Sequence, residues 1–466
     1  MPLVDMRDML NHAYRNSYAV GGFDLVSLDF LEAILAAAEN CRSPVILSLA
    51  ESHFGHYDFE LAMAATEKAA RRAEVPVAIH LDHGASQESA VRAINLGCNG
   101  VMVDASHESF PVNVAQTRRV VEMAHACGVA VEGELGYVAG VEGEDAAKHP
   151  GENQYTSVEE AKAYVARTGV DCLAVSIGTV HGRLRGKPKL DCERLKRIND
   201  AVKVPLVIHG GTGLADEQYR KLISHGVAKI NYYTALADAA GNRIRANARA
   251  DARCGYTGLV KGVQESIREE AERVMRLWGS AGRAAEVLVQ CQAWQPVEHV
   301  IIYNVEHVPD AQVETMMARG REMLATIPGV RRVVTGWAVA DKPRYRFCWL
   351  IEFAHRAVID SYREHPLHKQ FADNLFRPIA VDRVSVDFEH VDAVPAVPAS
   401  KLRESASGYA CRAEKLRGRG RRELSRLCPG TRSGLRSHQL VSLRLWVGFR
   451  SIAQMASTAI RKPRMK

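Results

Sequence analysis

Three histidines each end a short apolar run and are each followed by glycine. They are His83 after Val75-Pro-Val-Ala-Ile-His-Leu-Asp, His181 after Leu173-Ala-Val-Ser-Ile-Gly-Thr-Val, and His209 after Val204-Pro-Leu-Val-Ile. Neutral imidazoles from the ends of three buried strands can fill three positions around a zinc-type ion and leave one position open. The glycines let a ligand or substrate approach the backbone. The pattern therefore predicts a metal site.

A fourth pair, His225-Gly226, has a different context. It follows the amphipathic stretch 215–224, so its glycine is interpreted as the C-cap of a helix. We therefore leave His225 out of the predicted site.

From Tyr18 to about Gly282, short apolar runs alternate with longer segments of helical period, which indicates a parallel sheet wrapped by helices. Eight such units favour an α/β fold of the closed (β/α)8 TIM-barrel type, and no G-x-G-x-x-G follows the first strand to indicate a dinucleotide fold. The strands are predicted at 19–23, 44–49, 76–81, 100–103, 130–134, 172–177, 205–209 and 228–231.

Polar residues cluster where these strands end, which is where barrel enzymes place their chemistry. The strand ends, from the third to the eighth, read His80-Leu-Asp82-His83, Asp104-Ala-Ser-His107, Glu132-Gly-Glu134, His181-Gly182, His209-Gly-Gly-Thr-Gly213 and Asn231-Tyr-Tyr-Thr234.

These residue types can cleave a carbon–carbon bond next to a ketone. The reaction needs an electron sink at the carbonyl, a base for the departing hydroxyl proton and a group that handles the enediolate proton. A divalent ion on the three histidines would polarise the ketone, and Asp82 is the predicted acid/base. The segments 210–213 and 231–234 precede helices, so their backbone N–H groups can cradle a phosphate.

Two alternatives remain open on the residues alone. Lys229 shares its strand parity with Asn231, and a desolvated amine there would support Schiff-base aldol chemistry. Asp104, Glu132 and Glu134 would equally suit structural ion pairs, with Glu132 the weaker metal candidate.

Over residues 1–285, these blocks in this order, with Lys229-Ile-Asn231, resemble the class II, zinc-dependent ketose-bisphosphate aldolases, which include fructose- and tagatose-bisphosphate aldolases. The resemblance implies cleavage of a phosphorylated ketose to dihydroxyacetone phosphate and an aldehyde through a zinc-bound enediolate. It implies Zn²⁺ on His83, His181 and His209, a second divalent or a monovalent cation at Asp104 and Glu134, Asp82 as proton donor and Glu142 for enediolate protonation. Implied substrate contacts are Gly182, Gly210, Gly211, Thr212, Asn231, Tyr232, Tyr233 and Thr234.

The chain departs from the family pattern at positions that the resemblance implies surround the sugar substrate. Asp24 stands where the family commonly has asparagine, and Tyr232-Tyr233 stand where it has small or acidic residues. The loop 139–144 reads Ala-Gly-Val-Glu-Gly-Glu in place of Gly-Gly-x-Glu-Asp. An aldol reaction is therefore predicted without a defined aldehyde. The alternative is a catalytically inactive scaffold that serves assembly.

Residues 297–390 read as strand, helix, strand, strand, helix, strand, which predicts a small ferredoxin-like α+β domain. Ile327-Pro-Gly-Val330 and Tyr362-x-x-His-Pro-x-His368 resemble the stress-responsive dimeric α/β-barrel family. That resemblance implies a dimerisation unit, hence a homodimer or homotetramer. His365 and His368 are catalytic candidates there, but helix capping and packing is the preferred interpretation.

Residues 391–466 are predicted to be a basic, low-complexity, disordered tail. The segment 401–466 holds 17 Lys and Arg against three Glu, a local charge of +14 that leaves −7 for the other residues, given the total of +7. A mildly acidic body gives no reason to expect a specific nucleic-acid partner. No run of about 18 apolar residues predicts a membrane span. Ten scattered cysteines and an N-terminus without a signal pattern predict a cytoplasmic protein.

Overall fold

A computed structural model describes residues 2–145, 154–183 and 188–389. Its first part is a closed barrel of eight parallel strands, which confirms the predicted (β/α)8 class, with strand ends that shift by at most three residues. The strands are β1 Val20–Asp24, β2 Val45–Ala50, β3 Val77–Gly84, β4 Gly100–Val103, β5 Ala130–Leu135, β7 Cys172–Val175, β9 Leu206–Ile208 and β10 Val227–Asn231. Two further strands, β6 Gly140–Asp145 and β8 His181–Arg183, lie outside the barrel.

The helices of this part begin with α1, which precedes β1, and the others lie between or after the strands. They are α1 Met6–Arg15, α2 Leu28–Cys41, α3 Phe59–Ala70, α4 Gln87–Leu96, α5 Phe110–Ala126, α6 Val158–Thr168, α7 Cys192–Val202, α8 Asp216–Ser224, α9 Thr234–Ala250, α10 Tyr256–Leu259, α11 Val263–Leu277 and α12 Ala284–Gln290. Helix α4 shows how they form: the Ser86 side chain accepts a hydrogen bond from the Ser89 N–H at its start, and Gly97 ends it in the left-handed conformation.

Helix α1, which the sequence analysis did not identify, closes the amino-terminal end of the barrel. Its apolar side chains pack in one buried cluster with the first inward side chains of the strands, and Met6 lies directly against the backbone of Gly100. The cluster includes Met6, Met9, Leu10, Val20, Ile46, Ala78, Ala130 and Val207. Because this end is apolar, the polar interior residues are confined to the middle and the carboxyl end of the barrel.

Strands β6 and β8 form a parallel two-stranded sheet beside the carboxyl end of the barrel, with Gly140 opposite His181. The predicted run from Leu173 to His181 therefore divides in two. Its first half is barrel strand β7, and His181 begins β8, so β6 rather than the barrel fixes the position of His181.

The second part is the predicted ferredoxin-like domain. Its antiparallel sheet has the order β12-β13-β11-β14, where β11 is Val297–Val305, β12 Val330–Trp337, β13 Phe347–Phe353 and β14 Ala380–Glu389. The helices are α13 Asp310–Leu324, α14 Val358–Glu364 and α15 Pro366–Phe371, followed by a π-helical turn Ala372–Phe376. The predicted second helix is interrupted at His365, which caps α15 by accepting a hydrogen bond from the Leu367 N–H.

The two parts are joined by polar contacts on α3 and α4. Asn95 of α4 accepts a hydrogen bond from the Gly329 N–H and donates to the carbonyl oxygens of Ala325 and Ile327. Arg331 forms a bidentate ion pair with Glu67 of α3. No helix within the described ranges combines the length and the apolar character needed to cross a bilayer. The predicted basic tail lies outside the described residues.

Candidate active site

The three predicted histidines meet at the carboxyl end of the barrel. Their ring centroids are 4.7 Å apart for His83 and His209, 5.2 Å for His83 and His181, and 5.7 Å for His181 and His209. One potential ligand atom from each histidine lies within 4.8 Å of those of the other two. Residues of β3 and β8 and the residue just after β9 thus converge on one point, as a shared cation requires.

Each of these imidazoles has one ring nitrogen at hydrogen-bond distance from an oxygen acceptor of the protein. The pairs are His83 Nδ1 with Asp104 Oδ2 at 2.9 Å, His181 Nδ1 with the Val138 carbonyl oxygen at 3.1 Å, and His209 Nε2 with Glu132 Oε1 at 2.8 Å. Metal-binding histidines typically make such a contact, because it fixes the tautomer and the ring orientation and assigns the other nitrogen to the metal.

His83 adopts an unusual backbone conformation to reach this point. Its φ is +45°, a region that residues other than glycine seldom occupy. The pairing of β3 with β4 shifts register between Leu81 and Gly84, so the strand alternation is broken at His83. Asp82 and His83 are neighbours in sequence, and the shift lets both side chains serve the same end of the barrel.

Glu134 lies among the histidines. Its Oε2 is 3.2 Å from His209 Nδ1 and 4.0 Å from His83 Nδ1. His209 Nδ1 and Glu134 Oε2 are both buried and not aligned for a hydrogen bond with any residue that the structure describes. Because buried polar atoms are rarely left without a partner, this pair fits a site built around a cation. His83, Asp104 and Glu134 form a second cluster of potential ligands.

The carboxylates dominate the electrostatics of this cluster. Burial lowers the pKa of His83, but Asp82 and the hydrogen bond with Asp104 outweigh it and raise this pKa to about 9. Glu134 and Glu132 likewise outweigh burial and raise the pKa of His209 well above its usual value. The pKa of His181 falls to about 4, through burial and then through His83 and His209. A negative potential that retains protons on imidazoles also favours a divalent cation, which competes with those protons.

Asp82 is an ionised, oriented carboxylate. It is 2% exposed, and the Asn231 side-chain amide donates to both of its oxygens at 3.0 and 3.1 Å. Burial raises its pKa, but the positive charges of His83 and Lys229 more than offset this and hold the pKa well below its usual range. Asp82 is therefore held as an oriented anion beside the three histidines.

Lys229 does not suit the Schiff-base alternative. Its Nζ lies 2.7 Å from Glu132 Oε2, and both side chains are fully buried. Burial lowers the pKa of Lys229, but Glu132 and Asp82 raise it above its ordinary value. A Schiff-base lysine needs the opposite shift, because the free amine is the nucleophile. Glu132 is thus a structural partner of Lys229 and His209. The only sign of this in the sequence is that Glu132 lies at a strand position whose side chain faces the barrel interior.

The two predicted phosphate-binding segments lie next to each other. The Ala235 N–H of α9 donates to Thr212 Oγ1 at 3.3 Å, which links the loop after β9 to the turn after β10. Gly210 has a φ of +64°, and a Cβ there would lie 2.1 Å from the Val180 carbonyl oxygen, so only glycine fits. Gly182 also has a positive φ.

The structure argues against the predicted substrate contact for the side chain of Tyr232, which is 2% exposed. Tyr232 points away from the barrel interior and packs between Phe23 and Trp278, while its backbone N–H donates to the Gly22 carbonyl. Strand alternation explains this, because Asn231 faces inward and the next residue must face outward. The ring of Tyr233 packs against His53 at 4.6 Å.

The remaining predicted residues are placed as follows. Thr234 is fully buried at the first position of α9. Gly211 lies against the backbone of Asn231, since a Cβ there would be 2.8 Å from the Asn231 carbonyl oxygen. The side chain of Glu142 lies outside the described part of the chain.

Comparisons with known proteins agree with this fold. The family described as fructose-bisphosphate aldolase class-II matches residues 4–283, and the stress responsive A/B barrel domain matches residues 297–390. Fructose-bisphosphate aldolase of Geobacillus stearothermophilus is 42% identical over 291 residues, which cover 61% of this chain and 100% of that protein. The enzyme of the same name from Thermus caldophilus is 40% identical over 309 residues, covering 60% and 100%.

Among solved structures, the YdjI aldolase from Escherichia coli K12 superimposes with a TM-score of 0.54 at 35% identity, covering 60% of this chain and 99% of that one. Barrel, site and relatives together define an aldolase, a carbon–carbon lyase. The chain belongs to the class-II fructose-bisphosphate aldolase family. A stress-responsive A/B barrel domain follows its catalytic barrel in the sequence.

We expect His209→Ala to remove bound metal and aldolase activity together, because it deletes a ligand nitrogen at the centre of the cluster. Metal content after purification, measured by inductively coupled plasma mass spectrometry, checks this. His225→Ala is the matched control, since His225 ends α8 away from the cluster. Full metal retention in an inactive His209 variant would contradict the assignment.

Proposed function

We propose that this aldolase reversibly cleaves a phosphorylated ketose, of the fructose- or tagatose-bisphosphate type, into dihydroxyacetone phosphate and an aldehyde. The observation that carries the proposal is the convergence of three acceptor-held imidazoles beside the ionised carboxylate of Asp82. The fructose-bisphosphate aldolases among the relatives support the substrate class.

We propose that the cation is Zn²⁺ and that its ligands are His83, His181 and His209. A bound zinc ion supplies a Lewis acid for the ketone oxygen. The carboxylates of Asp104 and Glu134, which lie beside His83, are our second cation position, divalent or monovalent.

The proton steps fall to the carboxylates. In cleavage, Asp82 takes the proton of the hydroxyl on the aldehyde side as the carbon–carbon bond breaks. The bonding electrons remain on the ketone fragment as an enediolate, and the new aldehyde keeps the oxygen. In condensation, Asp82 returns this proton. Asn231 holds both carboxylate oxygens, so Asp82 is positioned before the substrate arrives. We assign protonation of the enediolate to Glu142 by family resemblance.

The phosphate is assigned to backbone amides. Gly182, Gly210, Gly211 and Thr212 lie on one side, and the turn from Asn231 to Thr234 leads into the N-terminus of α9 on the other. Helix N-termini and glycine-rich turns bind phosphate without a cationic side chain, because their N–H groups and dipoles point at the ligand. The backbone N–H of Tyr232 is excluded from this role, since it is bonded to Gly22.

We expect the purified chain to release dihydroxyacetone phosphate from fructose or tagatose 1,6-bisphosphate in a coupled enzymatic assay. Chelator should abolish turnover, zinc should restore it, and borohydride should not trap substrate on the protein. Metal binding without turnover on a panel of phosphorylated ketoses would favour the scaffold alternative. Trapping by borohydride would favour the amine of Lys229.

We expect Asp82→Asn to lower kcat by about 10²- to 10⁴-fold with unchanged zinc content, because the variant keeps the shape of the side chain and loses the proton acceptor. Steady-state kinetics and metal analysis on the same sample measure this. Asp29→Asn, on the outer helix α2, removes the same charge away from the site. A kcat close to that of the wild type in the Asp82 variant would exclude the assigned role.

We also propose that the second domain pairs two copies of the chain. One face of its sheet carries α13 and α15, and the centre of the other face is apolar. Val300 of β11 lies between Leu350 of β13 and Val386 of β14, and Ile302 lies between Cys348 and Val384 in the next row. Val384 and Val386 are 42% and 41% exposed. A second copy of the same sheet would cover this face, as the A/B barrel family name and the twofold symmetry of most oligomers support.

We expect Val386→Glu to halve the assembled mass, because a carboxylate in a buried sheet–sheet interface loses its hydration without gaining a partner. Light scattering after size-exclusion chromatography measures the mass. The control is Val339→Glu, a fully exposed valine after β12. An unchanged mass for the Val386 variant would exclude this face as the interface.

A further inference from the structure

We propose that Tyr219 is a positioning residue that orients the phosphate-binding loop after β9. The proposal rests on the proposed function, because that function assigns Gly210–Thr212 to the phosphate. Tyr219 lies on α8, is 1% exposed, and donates its hydroxyl proton to the Gly211 carbonyl oxygen. The backbone of Leu214, at the other end of the same loop, also contacts this hydroxyl.

Peptide geometry converts this anchor into an orientation of the next N–H group. The peptide between Gly211 and Thr212 is planar and trans, so its C=O and N–H point in opposite directions. Tyr219 packs on Trp278 in the layer between barrel and helices, and it draws the carbonyl outward. The Thr212 N–H must then point inward, toward the phosphate position.

Tyr219 is itself held by a polar network in the helical layer. The Tyr232 hydroxyl lies next to the Tyr219 hydroxyl and donates to Glu270 Oε1 at 2.6 Å. Arg273 donates to the Tyr232 hydroxyl at 3.2 Å and to Glu270 at 2.8 Å. This network joins α8, the turn after β10 and α11, so the loop anchor is fixed from three elements.

The network also accounts for a departure from the family pattern. Tyr232 occupies a position where the family has small or acidic residues, and its side chain faces the helices rather than the substrate. A large residue fits at this position because its side chain packs on the helix side of the phosphate-binding loop. The Tyr232 side chain thus acts on the loop through Tyr219 and not by direct contact with the substrate.

The test compares Tyr219→Phe with the wild-type chain. This substitution removes the hydroxyl and keeps the ring packed on Trp278. We expect the dissociation constant for inorganic phosphate, measured by isothermal titration calorimetry on the zinc-loaded protein, to rise at least fivefold. KM for the ketose bisphosphate should rise by a similar factor while kcat stays within twofold, because the loss is in phosphate binding.

Tyr18→Phe is the matched control. Tyr18 is equally buried and its hydroxyl bonds to His12 Nδ1 at 2.9 Å, but it lies at the amino end of the barrel. We expect it to leave phosphate affinity and KM unchanged, even where it lowers the melting temperature. Tyr232→Phe tests the same network one residue further out, and should shift phosphate affinity in the same direction by a smaller factor.

The outcomes separate this proposal from the proposed function. If the wild type binds phosphate and cleaves the ketose, and Tyr219→Phe matches it in both constants, the positioning role is wrong and the function stands. An equal loss in Tyr18→Phe would also overturn the role, because the effect would then be general destabilisation. If the wild type neither binds phosphate nor cleaves the ketose, both proposals fall. Should Tyr219→Phe not fold, Tyr232→Phe with unaltered phosphate affinity overturns the role.

Discussion

The buried carboxylate of Glu132 is the interaction on which the site depends. It accepts from Lys229 at 2.7 Å and contacts His209 at 2.8 Å, with all three side chains fully buried. Removing one partner of a buried ion pair typically lowers the free energy of unfolding by about 3–5 kcal/mol, since the remaining charge is buried without a partner. The ion pair therefore fixes the His209 ring and keeps the Lys229 amine protonated. The contacts of Glu132 thus fix the orientation of the His209 ring. They also keep Lys229 in the charged form, which disfavours Schiff-base chemistry.

The second constraint is the break in strand alternation at His83. In a regular strand, Asp82 and His83 would face opposite sides of the sheet. The positive φ of His83 and the register shift before Gly84 bring both to the same end of the barrel. Strained backbone is retained where the surrounding structure determines it, and here Asp104 holds the ring and Asn231 holds the neighbouring carboxylate.

Local pattern was sufficient to predict the barrel and most of the site, because buried parallel strands are apolar and their carboxyl ends carry polar residues. It could not predict β6 and β8, whose pairing is non-local and which relocate His181 from a barrel strand to a separate sheet. The ion-pair role of Glu132 was one of the stated alternatives, but its partners His209 and Lys229 could not be identified, since they lie far along the chain. Tyr232 is a different case: alternation after Asn231 predicts an outward side chain, and family resemblance outweighed that signal.

The closure of the barrel by α1 determines where small molecules can enter and leave. Met6, Met9 and Leu10 fill the far end with tightly packed hydrocarbon, and among the described residues this leaves the rim around the three histidines as the route in and out. Substrate entry and product departure then share the same opening. Anything that covered that rim would block entry and exit together.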